Sequence, residues 1–542
     1  MARNSDRHLN GTAGGRLNRR QLLAQAGAVS AAGMAAAHLP GLGPATVTAA
    51  RQDAATPVAG GSLTWAVDIL NDTLPYGAIG QPPTHVFTYD SLIMWDSTLQ
   101  AGPGLAESWE AVDDVTYVYK LRQGVLFHDG KEMTAEDVKY SLELHREPPP
   151  PGQSFAFYPK IESIDIVDPY TVQFNLREPD PSLVGYTTWT RYSNIMPVGM
   201  NEAINVLSEA DGTGPFRLTE FETSSHATLT RNESYWSPGI PNLDEIRIVF
   251  LPEEQSRVAA LRAGEIDGGS FSADVASTMR DDNDLTVLSG LQANHREIQI
   301  TTKGDPKPWH DIRVRQAITH AIDRQDLIDK VYAGEAEISG VIPTGYGDWP
   351  IPVDELRNNY LKYDVDMARQ LMADAGLADG FSVTLQSIAA PRDFTSCAEV
   401  VREHLADINI DVSVEPLEFG TFAKNNGEGN YDWQLTGRGF RGDPSGFLNE
   451  FNPKSAIFPN WFGENWNNEE LTALLDEGLL TADQARRHEL YTQAQQILLT
   501  EAVHVTLVQP MVYHVVRNRV KGMAVSYSGD IAYGLKVAWV ED

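Results

Sequence analysis

One cysteine, Cys397, stands in 542 residues. That excludes an intrachain disulfide framework and a multi-cysteine metal site. Basic residues are scarce too. Against 74 Asp and Glu there are 42 Lys and Arg, a formal charge of −32. A chain this acidic repels phosphate backbones, which argues against nucleic-acid binding. After the N-terminal leader no apolar run is long enough to span a bilayer. Enzyme and cofactor motifs are missing as well: no G-x-S-x-G, H-E-x-x-H, C-x-x-C or Walker A, and no G-x-G-x-x-G after a strand. The 13 histidines lack ligand spacing, and His504 and His514 read as surface or core residues. Acid pairs such as Asp113-Asp114 and Asp281-Asp282 read as turns. No catalytic residue, metal site or cofactor is expected.

What is present is core material. Apolar residues make up 42%, with 11 Trp, 19 Tyr and 18 Phe. At roughly 150 residues per domain the length allows two to four domains.

The N-terminus differs from the rest. Residues 1–50 carry five Arg against one Asp, with Arg19-Arg20 ahead of a mild Ala/Gly-rich apolar run. Twin arginine, a weak apolar region and small residues after it read as a Tat export signal. No cysteine follows the run, so there is no lipobox and no lipid anchor. Without the leader the charge is about −36 by the same count. Residues 51–60 read as a linker. The expected location is the periplasm or the extracellular face of the cytoplasmic membrane.

Strands alternate with helices further on. "IRIVF" (246–250), a helix opened by Pro252 and closed by Gly264, and the strand "EID" form one unit. "FSVTLQ" (381–386), a helix near 395–407 and "INIDVSV" (408–414) form another. Cys397 falls inside that helix as a small buried hydrophobe. Two such units far apart imply two α/β lobes. "KLRQGVLFHDGKEMTAEDVKYSLE" (120–143) crowds His128, Asp129, Lys131, Glu132, Glu136 and Asp137 together. It reads as framework: a strand, a turn at Gly130, and a Thr134/Asp137 capping box. The aromatics Phe458, Trp461, Phe462 and Trp466 either line a cleft or pack a loop.

Several blocks then resemble one family, in order. They include "AESWEAVDDVTYVYKLRQGVLFHDGKEMTAEDVKYSLE" (106–143), "GTGPFRLTEF" (212–221), "LDEIRIVFLPEEQSRVAALRAGEIDGG" (243–269) and "IRVRQAITHAIDRQDLIDKVYAGEA" (312–336). The chain resembles the family 5 extracytoplasmic solute-binding proteins of ABC importers, the dipeptide/oligopeptide/nickel type. The resemblance implies an α/β, two-lobed type II periplasmic-binding-protein fold. Lobe I would take 61–297, with an extra subdomain at about 98–211. Lobe II would take 298–509, and 510–542 would return to lobe I. Hinge crossings would fall near 297–301 and 507–512. The partners implied are a small-molecule solute and an ABC permease, with the protein a monomer.

Peptide-binding relatives carry W-x-x-D-x-x-[DE]-P, whose first Asp pairs with the ligand ammonium. Anchored on Asp443, "GRGFRGDP" puts Gly437 at the Trp position and Phe440 at the Asp position. Gly439 lies between them, and Arg438 and Arg441 flank the site. A buried ammonium without a carboxylate is costly. The resemblance thus implies a peptide-like solute bound without that anchor. An oligosaccharide, opine or metal chelate is the alternative, and an exported hydrolase a more distant one. An R-x-[YF] pattern implies Arg392 as the carboxylate partner, with Phe394 beside it. Trp433, Ile79, Gly80 and Gln81 complete the expected ligand-binding set.

Overall fold

A computed structural model describes residues 57–68, 84–95, 101–146, 160–188, 193–203, 209–439, 441–455, 457–527 and 531–541. The leader at 1–50, most of the linker, and the candidate residues Ile79, Gly80, Gln81 and Phe440 lie outside the described residues.

Strand β1 (Ser62–Val67) opens the described chain, and β2 (Ile93–Trp95) pairs with β3 (Ala101–Pro103). Then β4 (Ala106–Asp113), β5 (Thr116–Leu121), β6 (Ile161–Asp168) and β7 (Thr171–Leu176) build an antiparallel sheet in the order β4-β5-β7-β6. The helix Ala135–Arg146 places Val138 and Leu142 in the same core as Tyr119 and Phe174. The charged stretch 120–143 is framework here. Gly130 takes φ +93° in the turn. Asp137 accepts from Thr134 N at 2.9 Å, and Thr134 Oγ1 accepts from Glu136 N at 3.3 Å. Both bonds satisfy donors at a helix start.

The next strands are β8 (Phe216–Glu222), β9 (His226–Arg231), β10 (Glu245–Phe250), β11 (Gly268–Phe271) and β12 (Leu285–Leu291). After them come β13 (His295–Ile300), β14 (Ala336–Ile338), β15 (Phe381–Ile388), β16 (Ile410–Leu417), β17 (Trp433–Arg438), β18 (His504–Thr506) and β19 (Val508–Arg517). They form two large sheets. The first runs β12-β19-β11-β1-β10-β9-β8, with β14 laddered onto the start of β19. The second runs β16-β15-β17-β13-β18.

The helix Glu254–Ala263 ends on Gly264 at φ +76°, as the sequence implies. The strand after it starts at Gly268 rather than within "EID". A Cβ on Gly268 would lie 2.5 Å from the Trp65 ring, so this glycine lets β11 and β1 close up. In the second lobe, Trp309, Phe381 and Trp433 pack edge to face or tilted in one core. The aromatic loop resolves as packing: Phe458, Phe462 and Trp466 pack ring against ring, and Phe462 and Trp466 also meet Phe451, all buried.

Apart from β14, which reaches back to the start of β19, the chain crosses between the two sheets at 292–294 and again at Leu507. The first crossing comes earlier than the expected 297–301. The reason is that 295–300 already ladder with β17 and β18. Gln509 Nε2 joins the two crossings, donating to Gln292 O at 2.9 Å and to Tyr527 Oη at 2.8 Å.

Candidate functional site at the crossing edge of the second sheet

β15 and β17 are parallel, so their C-terminal ends, Ile388 and Arg438, share one edge. β13 is antiparallel to β17, so its start lies at that edge too, just after the crossing 292–294. Open α/β sheets receive ligands at the C-terminal ends of their strands. Most of the sequence-derived candidates gather here.

The two faces of β17 do different things. Trp433, Leu435 and Gly437 share one face. Trp433 is fully buried against Trp309 and Phe381, so it belongs to the core and not to a cleft wall. Gly437 stands opposite Arg296 in the ladder. A Cβ on it would lie 2.8 Å from Asn294 Oδ1, 2.9 Å from Arg296 Nη1 and 3.2 Å from the Phe394 ring. The room given up by the glycine is thus filled by an arginine. Arg296 stacks on Phe394 at 4.1 Å and donates through Nε and Nη2 to Asp393 Oδ2, at 2.9 and 2.7 Å. Tyr332 Oη donates to the same oxygen at 3.0 Å. Asp393 and Phe394 lie in the first turn of the helix Arg392–Ala406, at whose first position Arg392 is exposed.

The other face carries Arg438, opposite His295. The sequence sets Arg438 beside the ligand as a flanking cation. The structure buries it at 3% exposure and engages it internally. Its Nε lies 2.9 Å from Glu297 Oε1, Nη1 donates to Phe447 O at 2.8 Å, and Nη2 pairs with Glu450. Its guanidinium also packs over Phe451. Burial by itself pushes the Glu297 carboxyl up. Arg438, with a hydrogen bond from His295, overrides that and holds it well below the usual carboxylate range. Burial lowers both His295 and His504, keeping the imidazoles neutral. His504 Nδ1 is 3.2 Å from Glu297 Oε1 but off hydrogen-bond angle.

The loop after β17 is braced from two sides. Tyr346 Oη donates to Arg441 O and accepts from Arg441 N, both at 2.9 Å. Asp443 pairs with Arg487 through both oxygens, at 2.9 and 2.5 Å, and accepts from Ser445 N. Burial raises the Asp443 carboxyl, but Arg487 brings it below its ordinary value. Asp443 is therefore a loop anchor. The Arg441 side chain is partly exposed, with Nη2 3.6 Å from Glu450 Oε1. Gly439 has no atom within 4 Å of where its Cβ would be.

So the edge collects Gly437, Gly439, Arg441 and Arg392, with Phe394 buried beneath Arg296, while Arg438, Asp443 and Trp433 turn inward. Sequence reasoning missed Asn294, Arg296, Glu297, Tyr346, Glu450 and Arg487. One signal was available: "HREIQI" puts three titratable residues at the head of a strand whose six residues are all buried.

The family model for bacterial extracellular solute-binding proteins, family 5, matches residues 100–458. The chain belongs to that family. Di/tripeptide-binding protein 1 of Pseudomonas aeruginosa is 29% identical over 450 residues, 76% of this chain and 81% of the relative. The PBP AgaA from A. tumefacien R10, solved in complex with agropinic acid, superposes with TM-score 0.78 at 25% identity. That match covers 89% of this chain and 99% of AgaA. DppA from Helicobacter pylori, solved with the peptide STSA, gives TM-score 0.77 at 25% identity, covering 90% and 99%. This family 5 member has the two-lobed type II periplasmic-binding fold, the two large sheets being its lobes and the four-stranded sheet its extra subdomain. It is the solute-binding component of an ABC importer. Its relatives are binding proteins, and the family works outside the cytoplasmic membrane. Among the described residues no helix is long and apolar enough to cross a membrane.

Proposed function

We propose that this protein, exported by its twin-arginine leader, captures a carboxylate-bearing, peptide-like solute that offers no free α-ammonium. It would act as a monomer and pass the solute to its ABC permease. The charge pattern at the crossing edge carries this reading. Each carboxylate described there faces a guanidinium: Asp393 with Arg296, Glu297 with Arg438, Glu450 with Arg438 and Arg441, and Asp443 with Arg487. A ligand ammonium would have to compete for carboxylates already matched. A ligand carboxylate has exposed Arg392 and partly exposed Arg441 to meet. A net positive site in a chain of charge −32 fits an anion. Phe440 in place of the expected Asp agrees with the same reading. The likeness to AgaA keeps an opine-type acid as the second reading.

The test is a melting-temperature comparison with three probes: Ala-Ala, N-acetyl-Ala-Ala and Ala-Ala amide. N-acetyl-Ala-Ala is expected to raise the melting temperature most, and the amide least. Phe440→Asp should reverse the order of the acetylated and free-amine dipeptides. An amide that stabilises as well as the acid would sink the carboxylate assignment. No gain for Ala-Ala in a folded Phe440→Asp variant would sink the placement of Phe440.

A further inference from the structure

The helix Leu183–Tyr186 belongs to the four-stranded subdomain, whose core takes Leu183 and Val184. The loop after β17 belongs to the second lobe. The two meet backbone against backbone. A Cβ on Gly185 would lie 2.1 Å from Gly442 O, and a Cβ on Gly442 would lie 2.3 Å from Gly185 O. Neither obstacle is a side chain that can swing aside. A carbon needs about 3.3 Å from a carbonyl oxygen, so any side chain at either position holds the two backbones roughly 1 Å further apart.

A second contact spans the same boundary. Lys160, at the head of β6, points its ammonium at Leu479 O, 3.5 Å away. That carbonyl is at the C-terminal end of the helix Glu469–Leu480, where a cation is favourable. The loop is also stiff from behind, since Tyr346 clamps both backbone groups of Arg441 and Arg487 clamps Asp443. A push on Gly442 therefore moves the lobe rather than bending the loop.

We propose that Gly185 and Gly442 form the latch that sets the balance between open and closed lobes. The two crossings at 292–294 and Leu507 let the lobes swing, and the glycine pair determines how near they come. A ligand's apparent affinity scales with the population of the form that receives it. The latch then tunes affinity for any solute without touching it, and it does not depend on the ligand class proposed above.

Electron–electron distance measurement on the full chain, as purified, tests this. Nitroxides go on Ile166→Cys in the subdomain and Glu470→Cys in the second lobe, both exposed. The native Cys397 is fully buried and takes no label. The otherwise unsubstituted chain should show a short-distance population. Gly185→Ala and Gly442→Ala should each lose it, and the double variant should add nothing, since both break one contact. If either alanine variant melts early, Lys160→Met weakens the same boundary without entering a backbone contact, and should shrink the short population. A short population that survives these substitutions, or none in the parent chain, overturns the latch.

Discussion

Arg438→Met is expected to destabilise the second lobe by about 3–5 kcal/mol, the usual cost of removing one partner from a buried ion pair. Glu297 and Glu450, at 1% and 7% exposure, would lose the guanidinium that balances both. The nearby imidazoles, which burial lowers, could replace it only by charging a ring in the buried interior. Lysine cannot replace it either, since one ammonium does not span Glu297, Glu450 and Phe447 O in three directions. Urea denaturation read by tryptophan fluorescence measures the loss, because Trp309, Trp433 and Trp461 lie in that lobe's core. Arg392→Met is the contrast. Arg392 is exposed, so its replacement should leave stability within about 0.5 kcal/mol and instead weaken binding of N-acetyl-Ala-Ala. An unchanged urea midpoint in Arg438→Met would return Arg438 to the ligand-flanking role its sequence context suggests.

The melting temperature should fall as the pH drops from 6.5 towards 4. Burial pushes His128 and His514 down to about 4, and lowers His295 and His504 as well. In the unfolded chain these imidazoles take up protons near their ordinary value of about 6.5. Between the two values the unfolded state binds more protons, so stability rises with pH and is lost as pH falls. It is fully present above 6.5. The loss is roughly 3 kcal/mol for each of His128 and His514 by the time pH 4 is reached. Asp211 works the other way, its carboxyl raised to about 6 by burial and then by Asp129. It favours folding as pH falls through 6, so it offsets only part of the histidine effect. Melting curves at pH 7.5, 5.5 and 4.5 should show a drop on the order of 5–10 °C. A flat or rising profile over that range would mean that these histidines are hydrated or already charged in the fold.

Local signals carried the framework of the fold. Gly264 closing one helix, Asp364 capping another by accepting from Met367 N, and the Thr134/Asp137 box are set by a few neighbours in sequence. A one-dimensional reading can find such features. Ordered family blocks then supplied the two-lobed topology. The site was only half legible. Gly437, Gly439, Arg441, Arg392 and Phe394 gather at one edge because β15 and β17 end there and the helix and loop that follow them start there. The direction in which Arg438 points depends on Glu297 and Glu450, 141 positions before it and 12 after it, brought together only by the β13–β17 ladder and the loop beyond β17. The pairing of Asp443 with Arg487 is hidden for the same reason. The place of the latch, Gly185 against Gly442, involves one glycine in a short helix and one in a loop, whose closeness no local pattern reveals.

Native mass spectrometry of the protein purified from its own source most directly tests the central claim, that it binds and releases a solute without altering it. A one-to-one complex with a small carboxylate-bearing molecule is predicted, the molecule leaving intact on denaturation and restoring the bound mass when added back. A released species that fails to rebind, or one that the protein converts to a different mass, would contradict it.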